Sequence, residues 1–463
     1  MEYYLAVDIG ASSGRHILGS VENGKMKLEE IYRVENGFYV KNGSKYWNTE
    51  SLFGEIVNGM KKCREIGKIP KSIAIDTWGV DYALLDADGN LTDDVFCYRD
   101  SRTDGMAEAV SELIGEDALY ARTGIQRQPF NTLYQLMSAK KVNPASLEKA
   151  DCLLFLPNYF NFLLTGVRKS EYTIASTSQM LDAKTKQWDT GLIELLGLPA
   201  KIFQPLCMPG TFVGRLKPEL AEEIGFDLDV ICCCGHDTAS AVMAAPDGGI
   251  YISSGTWSLM GIETPEPVCT EQSRISGFTN EGGYDYRFRY LENIMGLWII
   301  QSVRRETENK YSFAELCTMA EESSKTFSSV IDANDEGFLA PDNMTEQIRS
   351  FCKNSGQKVP ETVGEIAYAV YQGLAECYAK CAAVIEENTG KTYDCINIIG
   401  GGSNADYLNR LTAAASGKKV RAGIGEATSV GNIAAQAIRA GALSDLADAR
   451  SCIFNSFAIK EYE

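Results

Sequence analysis

Two stretches of this sequence carry residue types suited to chemistry at phosphorus. The first is Asp8 and the run IGASSGR that follows it, Ile9 to Arg15. The apolar segment YLAV leads into the carboxylate, and the Gly/Ser turn beyond it offers several backbone N–H groups and two hydroxyls. Concavities of that kind bind phosphate oxygens. A carboxylate beside one is placed to hold Mg2+ or one of its waters, since hard cations take oxygen ligands next to phosphates. The same letters also spell a plain hairpin turn with a capping Asp. The second stretch is Gly235-His236-Asp237-Thr238, after the apolar run DVICCC. A hydroxyl is a poor nucleophile until a positioned base takes its proton, and Asp237 is the candidate base. Read locally, Asp237 serves as well as the N-cap of a helix over TASAVM. His236 either hydrogen-bonds a substrate hydroxyl or packs, and His16, the other of the two histidines, reads as structural.

A third feature is the strand-end run IIGGGSNAD, where Gly400 to Gly402 let backbone approach a flat ring and the helix start beyond favours negative groups. A simple strand-to-helix turn explains these glycines too. Competing nucleotide signatures are absent. Gly390-Lys391-Thr392 has Ile385 where a Walker loop needs its first Gly, and Gly423-Ile424-Gly425 is followed by Thr428 where a dinucleotide fingerprint needs its third. Protein-kinase catalytic-loop signatures are missing as well. Cys232-Cys233-Cys234 with His236 could suggest zinc. Neighbours in an extended strand point to opposite faces and cannot share one ion, so buried thiols packing as small apolar groups are expected there, and at Cys377 and Cys381.

These residues need elements to hold them. The opening reads as three antiparallel strands with turns at GASSG and ENGK, followed by a helix over 49–66, the strand SIAIDTWGV, and a strand with a hairpin about Asp88-Gly89. From about 100 to 225 helix and loop signals dominate, until DVICCC forms a short strand running into a helix. IYISSGTWSLMGIE, at 250–263, repeats the device of the N-terminus, with Ser253-Ser254-Gly255 expected in the place of Ser12-Ser13-Gly14. A long core helix is expected with Val363, Ile366, Val370, Leu374, Cys377, Cys381 and Val384 on one face. Strand, helix, strand, helix follow in CINIIGGG, NADYLNRLTAAAS, KKVRAGI and ATSVGNIAAQAIRAG. Two α/β lobes, each opening on a hairpin whose turn faces a shared cleft, are the expected architecture. Their boundary falls near 246, with APDGG at 245–249 as hinge.

Bulk composition narrows the function classes. At 463 residues with 45% hydrophobic content the chain is longer than one core usually supports. A formal charge of −18 argues against a nucleic-acid surface, which needs clustered Lys and Arg. No apolar run reaches the roughly 18 residues of a membrane span, and MEYYLAVDIG lacks the features of a signal peptide. A cytoplasmic protein with reduced thiols is therefore expected, its fourteen cysteines being scattered through a long chain.

AVDIGASSGR, DTWGVDYALLD, GHDTASAV, SSGTWSLMG, NIMGLW and IIGGGSN, in this order and spacing, resemble the FGGY carbohydrate kinases. That family is a branch of the duplicated, ribonuclease H-like actin/hexokinase/heat-shock-chaperone fold. The resemblance spans nearly the whole chain. Within the family, GHDTASAV with SSGTWSLMG and NIMGLWIIQ is most similar to the branch that phosphorylates L-rhamnulose, rather than to the xylulose, gluconate or glycerol branches.

The resemblance implies ATP and Mg2+ as cofactors and a ketose as the other partner. It implies nucleotide contacts from Ala11, Ser12, Ser13, Gly14, Arg15, Thr256, Gln301, Gly401 and Gly402, with Asp8 helping to place Mg2+. For the sugar it implies Gly79, His236, Asp237 and Asn293, with Asp237 as general base and Thr238 in the same pocket. Residues 1–246 are expected to bind sugar and carry the first phosphate hairpin, and residues 247–463 to bind nucleotide. Neither nucleic acid nor membrane is an expected partner, and monomer and dimer both stay open. Another sugar or polyol within the family is the nearest rival. A non-catalytic actin-like sensor or filament is the rival from a different class, although no basic helix-turn-helix is evident.

Overall fold

A computed structural model of the chain describes residues 2–463. It divides into two compact units that interleave along the sequence. The first comprises Met1–Ala244, Thr264–Tyr290 and Thr428–Ser456, and the second Ala245–Glu263, Leu291–Ala427 and Phe457–Glu463.

The first unit is built on a six-stranded sheet formed by β1 (Tyr3–Ile9), β2 (Ser13–Glu22), β3 (Lys25–Glu35), β4 (Pro70–Thr77), β5 (Phe212–Arg215) and β6 (Asp229–Ile231), in the order β5-β6-β4-β1-β2-β3. The three N-terminal strands are antiparallel, as the Asn-Gly turn required, while β4 runs parallel to β1 and β6 parallel to β4. Side chains of β1 and β4 are buried along almost their whole length, as in strands covered on both faces. β3 at the edge is mostly exposed. Helix Thr49–Glu65, capped by Asn48 through Ser51 N, covers one face with Leu52, Ile56, Met60 and Cys63. Two local expectations need refinement. The turn about Asp88-Gly89 closes, with Asp86 N donating to Asn90 O at 2.9 Å, yet the full partner of Tyr82–Leu85 is the distant strand Cys152–Phe155. The strand in DVICCC stops at Ile231.

Six strands of a seven-stranded sheet, β7 (Ile250–Ser254), β8 (Trp257–Thr264), β9 (Phe288–Met295, of which Leu291–Met295 belong to the second unit and Phe288–Tyr290 to the first), β10 (Cys395–Ile399), β11 (Lys419–Ile424) and β12 (Lys460–Tyr462), run in the order β9-β8-β7-β10-β11-β12. β7 is antiparallel to β8 and parallel to β10, β11 is parallel to β10, and β12 is antiparallel at the edge. The long helix spans Val363–Thr389, started by a Thr362/Glu365 capping box and ended by Gly390 at φ 64°. Its buried surface is broader than the expected stripe: Ala367, Tyr371, Ala375, Tyr378 and Ile385 are inside too, while Val363 and Val384 at the ends are only half-buried.

Candidate active site

In the first unit three chain segments end at one edge of the sheet. Asp8 on β1 lies opposite Asp76 on β4, and Ile9 opposite Thr77, so the two carboxyl-bearing residues sit on strands about 4.8 Å apart. Thr77 in turn bridges in parallel to His236, with its N–H on Gly235 O at 2.9 Å. Asp8, Asp76 and Asp237 thus gather at the C-terminal ends of neighbouring parallel segments, where open α/β sheets bind ligands. Asp76 is wholly buried and accepts from Asn432 Nδ2 at 2.5 Å, while its Oδ1 has no partner among the described residues. Burial, and then the negative charge of Asp8 and Asp237, push its carboxyl well above the ordinary range. Arg15, facing Asp8 across the hairpin, brings Nε to 3.7 Å from Asp8 Oδ2.

The turn after Asp8 is pinned from outside. Gly10 N donates to Ser13 O at 2.9 Å, and Asn36 reaches across to Gly10 O at 2.8 Å and Ser12 O at 3.0 Å. Ser12 is exposed, Ala11, Ser13 and Arg15 are half-buried, and Gly14 is buried opposite Ile9. His16, one residue further on, is packed into the core against Gly59 and the Tyr32 ring, and burial lowers it to about 4.

Asp237 is the first residue of helix Asp237–Met243, whose N-cap is His236. The capping reading therefore does not describe it. Its Oδ1 accepts from Thr238 N at 2.5 Å and Thr238 Oγ1 at 3.1 Å, and its side chain is 31% exposed. The corner before it is held by buried Glu171, which takes N–H bonds from Gly235, Thr173 and Ile174 and the Thr173 hydroxyl. The three cysteines ahead of the corner point into separate surroundings: Cys232 toward Cys207 at 3.8 Å, Cys233 toward Ile75 O at 3.3 Å and Cys234 toward Met243 Sδ at 3.5 Å. His236 Nε2 lies 3.3 Å from Asp237 Oδ1.

Gly79 follows Thr77 and Trp78 in a strained bend. Asp81 N donates to Gly79 O at 2.9 Å around Val80, a β-branched residue at φ 68°. A γ-turn with that sign of φ is costly. It is kept by Thr177 Oγ1 on Val80 N (3.0 Å), by Thr132 Oγ1 on Val80 O (2.7 Å), and by Asp81, which is wholly enclosed and accepts from Trp47, Trp78, Tyr98 N and Gln135. A side chain at Gly79 would crowd Thr177 at 3.1 Å.

In the second unit the expected nucleotide residues form one group. Gly255 O and Thr256 O accept from Leu297 N and Trp298 N at 3.0 Å each, tying the second hairpin turn to the start of helix Trp298–Glu306, which carries Gln301. Gly400, at φ 83°, approaches Ser254 so closely that a Cβ would lie 2.8 Å from its carbonyl oxygen. Gly402 is packed on the Ser254 side chain, while Gly401 is exposed with open space where a Cβ would be. Asn293 is half-buried on β9. The expected equivalence of the two Ser-Ser-Gly runs does not hold. Ser12 is in its turn and Ser13-Gly14 open the returning strand, whereas Ser253-Ser254 close the outgoing strand, with Ser254 opposite Ser258. A three-residue turn and a two-residue turn offset the matching letters.

The profile of the FGGY family of carbohydrate kinases matches the chain at residues 3–244 with its N-terminal domain and at 250–440 with its C-terminal domain. The chain belongs to the FGGY carbohydrate kinases. It is thus a sugar phosphotransferase, and the kinases of this family use ATP with Mg2+. The rhamnulokinase of Halalkalibacterium halodurans is 48% identical over 464 residues, covering 100% of this chain and 99% of that protein. The rhamnulokinase of Bacillus subtilis is 41% identical, covering 99% and 95%. Among solved structures, ligand-bound xylulose kinase from Lactobacillus acidophilus superposes with a TM-score of 0.80 at 17% identity, over 100% of this chain and 94% of that one. Plasmodium falciparum glycerol kinase with ADP gives 0.81 at 14%, with the same coverage. At those identities the structures share the fold. No helix among the described residues is long and apolar enough to cross a membrane.

Several residues around this edge were not singled out from sequence: Asn36, Asp76, Asp81, Glu171 and Asn432, and Glu281 and Arg289, which lie against His236 Nδ1 at 3.2 and 2.9 Å. A carboxylate inside the apolar run SIAIDTW, and an Arg between the aromatics of FRYL, were the available signals.

Proposed function

We propose that this kinase transfers the terminal phosphoryl group of MgATP to the 1-hydroxyl of L-rhamnulose, giving L-rhamnulose 1-phosphate in L-rhamnose breakdown. The end-to-end likeness to rhamnulokinases, 48% in the first case, carries the choice of sugar, and the half-exposed carboxylate of Asp237 supports the chemistry. Asp237 accepts the hydroxyl proton as the oxygen attacks phosphorus. His236, Thr238, Gly79 and Asn293 hold the ketose. Residues 1–246 hold the sugar and carry the first phosphate turn, and 247–463 hold the nucleotide.

The residues present suit MgATP. Asp8 stands beside the N–H-rich turn of Ala11 to Gly14, and Asp76, on the neighbouring strand opposite Asp8, keeps a buried Oδ1 with no hydrogen-bond partner among the described residues. Mg2+ beside a nucleotide takes few carboxylates, with waters and phosphate oxygens filling its shell. When bound, MgATP supplies the phosphoryl group and neutralises its oxygens. Arg15 adds positive charge there. Thr256, Gln301, Gly401 and Gly402 contact the nucleotide, Gly401 being the glycine of the run with room for it. A cytoplasmic location goes with ATP as donor and fourteen cysteines that form no disulfide. A coupled ADP assay across L-rhamnulose, xylulose, fuculose, gluconate and glycerol tests the reading. L-rhamnulose is expected to give the highest kcat/KM, because a site built for particular hydroxyls rejects analogues lacking them strongly. A higher value for another sugar would reassign the substrate.

A further inference from the structure

Arg289, at the start of β9, has no solvent exposure at all. A guanidinium so placed is costly unless every contact is good. Its Nε donates to Gly282 O at 3.0 Å, and its Nη2 makes two contacts, to Glu281 Oε2 at 2.8 Å and to His236 Nδ1 at 2.9 Å. Nη2 carries two hydrogens, one for each, and a guanidinium can only donate. Nδ1 must then be the nitrogen with the lone pair. Glu281 Oε2 is also 3.2 Å from Nδ1 and would suit a proton there. Such a proton would face the hydrogen of Nη2, and the Arg289 contact is the shorter. The ring proton is left on Nε2, 3.3 Å from Asp237 Oδ1. Burial drives Glu281 upward, but the Arg289 guanidinium outweighs it and the carboxyl is held down to about 2, so its charge balances Arg289.

We propose that Arg289 is a positioning residue for phosphoryl transfer: it fixes the tautomer of His236, so that Nε2–H is presented to Asp237 and to the acceptor hydroxyl. The other tautomer would turn a lone pair toward the carboxylate, repelling it and competing for the hydroxyl proton. With Nε2–H in place, His236 does not compete with Asp237 for the hydroxyl proton. The inference rests on the reading of His236 and Asp237 as the ketose-binding pair.

The chain has two histidines, so full-length protein labelled with 15N in its imidazoles gives two ring patterns, assigned with His16→Gln. His236 is expected to show a lone-pair shift at Nδ1 and a protonated shift at Nε2 at pH 7.5. A proton on Nδ1 overturns the proposal. Arg289→Met alone leaves Glu281 buried and unpaired and is liable to unfold, so Arg289→Met with Glu281→Met is the kinetic variant. It is expected to lose the fixed tautomer and to lower kcat/KM for the ketose about 10- to 100-fold, the scale of small misplacements in an active site, with KM for ATP within about twofold. Ketose kcat/KM within twofold of the parent in a folded double variant also overturns the proposal. His236→Gln separates the two layers: unchanged ketose kinetics there would defeat the reading of His236 as a sugar ligand and any use of its tautomer, while the NMR result still reports whether Arg289 sets the proton.

Discussion

The two units repeat one sheet plan with different chemistry. In each, a central strand (β1, β7) has an antiparallel hairpin partner on one side and two successive parallel strands on the other, ended by an antiparallel edge strand. Matched by their last residues, Asp8 of β1 corresponds to Ser253 of β7, and Thr77 of β4 to Ile399 of β10. The first unit sets three carboxyls at that edge, Asp8, Asp76 and Asp237. The second sets serines and Gly400 to Gly402 there, neutral and small. Topology repeats because the same burial pattern dictates it, while acid–base capacity depends on single residues at strand ends.

The largest expected effect breaks the acidic side of the comparison. Asp237→Asn should lower kcat by about two to four orders of magnitude, the size of general-base effects, with modest change in ketose KM. Steady-state kinetics at saturating ATP measure it. Near-parental turnover would remove Asp237 from the chemistry.

Much of this difference was legible in sequence. The two hairpins, the strand-helix-strand-helix succession near the C-terminus and the positions of Asp8 and Asp237 at strand ends followed from apolar runs ended by Gly/Ser turns. What was not legible depends on distant chain segments. Asn432 reaches Asp76 from 356 residues away, and Arg289 meets His236 across 53. No local pattern encodes such meetings. The offset of Ser12-Ser13-Gly14 against Ser253-Ser254-Gly255 escaped because turn length is set by backbone geometry and matching letters carry no register.

The hairpins also differ in their cores. His16 pairs with Val7 where Met260 pairs with Ile252. Burial holds His16 neutral, its value lowered from 6.5 to about 4. A depressed group of this kind supports folding above pH 6.5 and loses that support as pH falls through about 4. The first unit should therefore lose about 3 kcal/mol across that window. Urea unfolding at pH 7 and pH 4.5 is expected to show a smaller pH difference for His16→Met, which copies the second hairpin. An equal difference would show that His16 does not titrate there.

A smaller effect distinguishes glycines of the second unit. Gly402→Ala drives a methyl into the Ser254 side chain and should cost about 1–3 kcal/mol of stability, the range for overpacking. Gly401→Ala, pointing into open space, should stay within about 0.5 kcal/mol yet raise KM for ATP if nucleotide lies against it. Thermal melting and ATP kinetics on the pair read both. Equal melting losses would contradict the packing difference.

The smallest effect compares the matched strand ends directly. Asp8 brings a carboxylate to the phosphate turn with Arg15 3.7 Å away, whereas Ser253 offers a neutral hydroxyl in the corresponding position. If Asp8 helps to place Mg2+, Asp8→Asn weakens an oxygen ligand or its bridging water without removing the turn's N–H groups. The Mg2+ concentration for half-maximal rate should then rise about tenfold, equivalent to about 1.4 kcal/mol. Ser253→Ala should leave it within twofold. A titration of rate against Mg2+ at fixed ATP decides between them. Equal responses from the two variants would mean that the carboxylate adds nothing the repeated hairpin does not already supply, and that the division of labour between the units lies elsewhere than at these two strand ends.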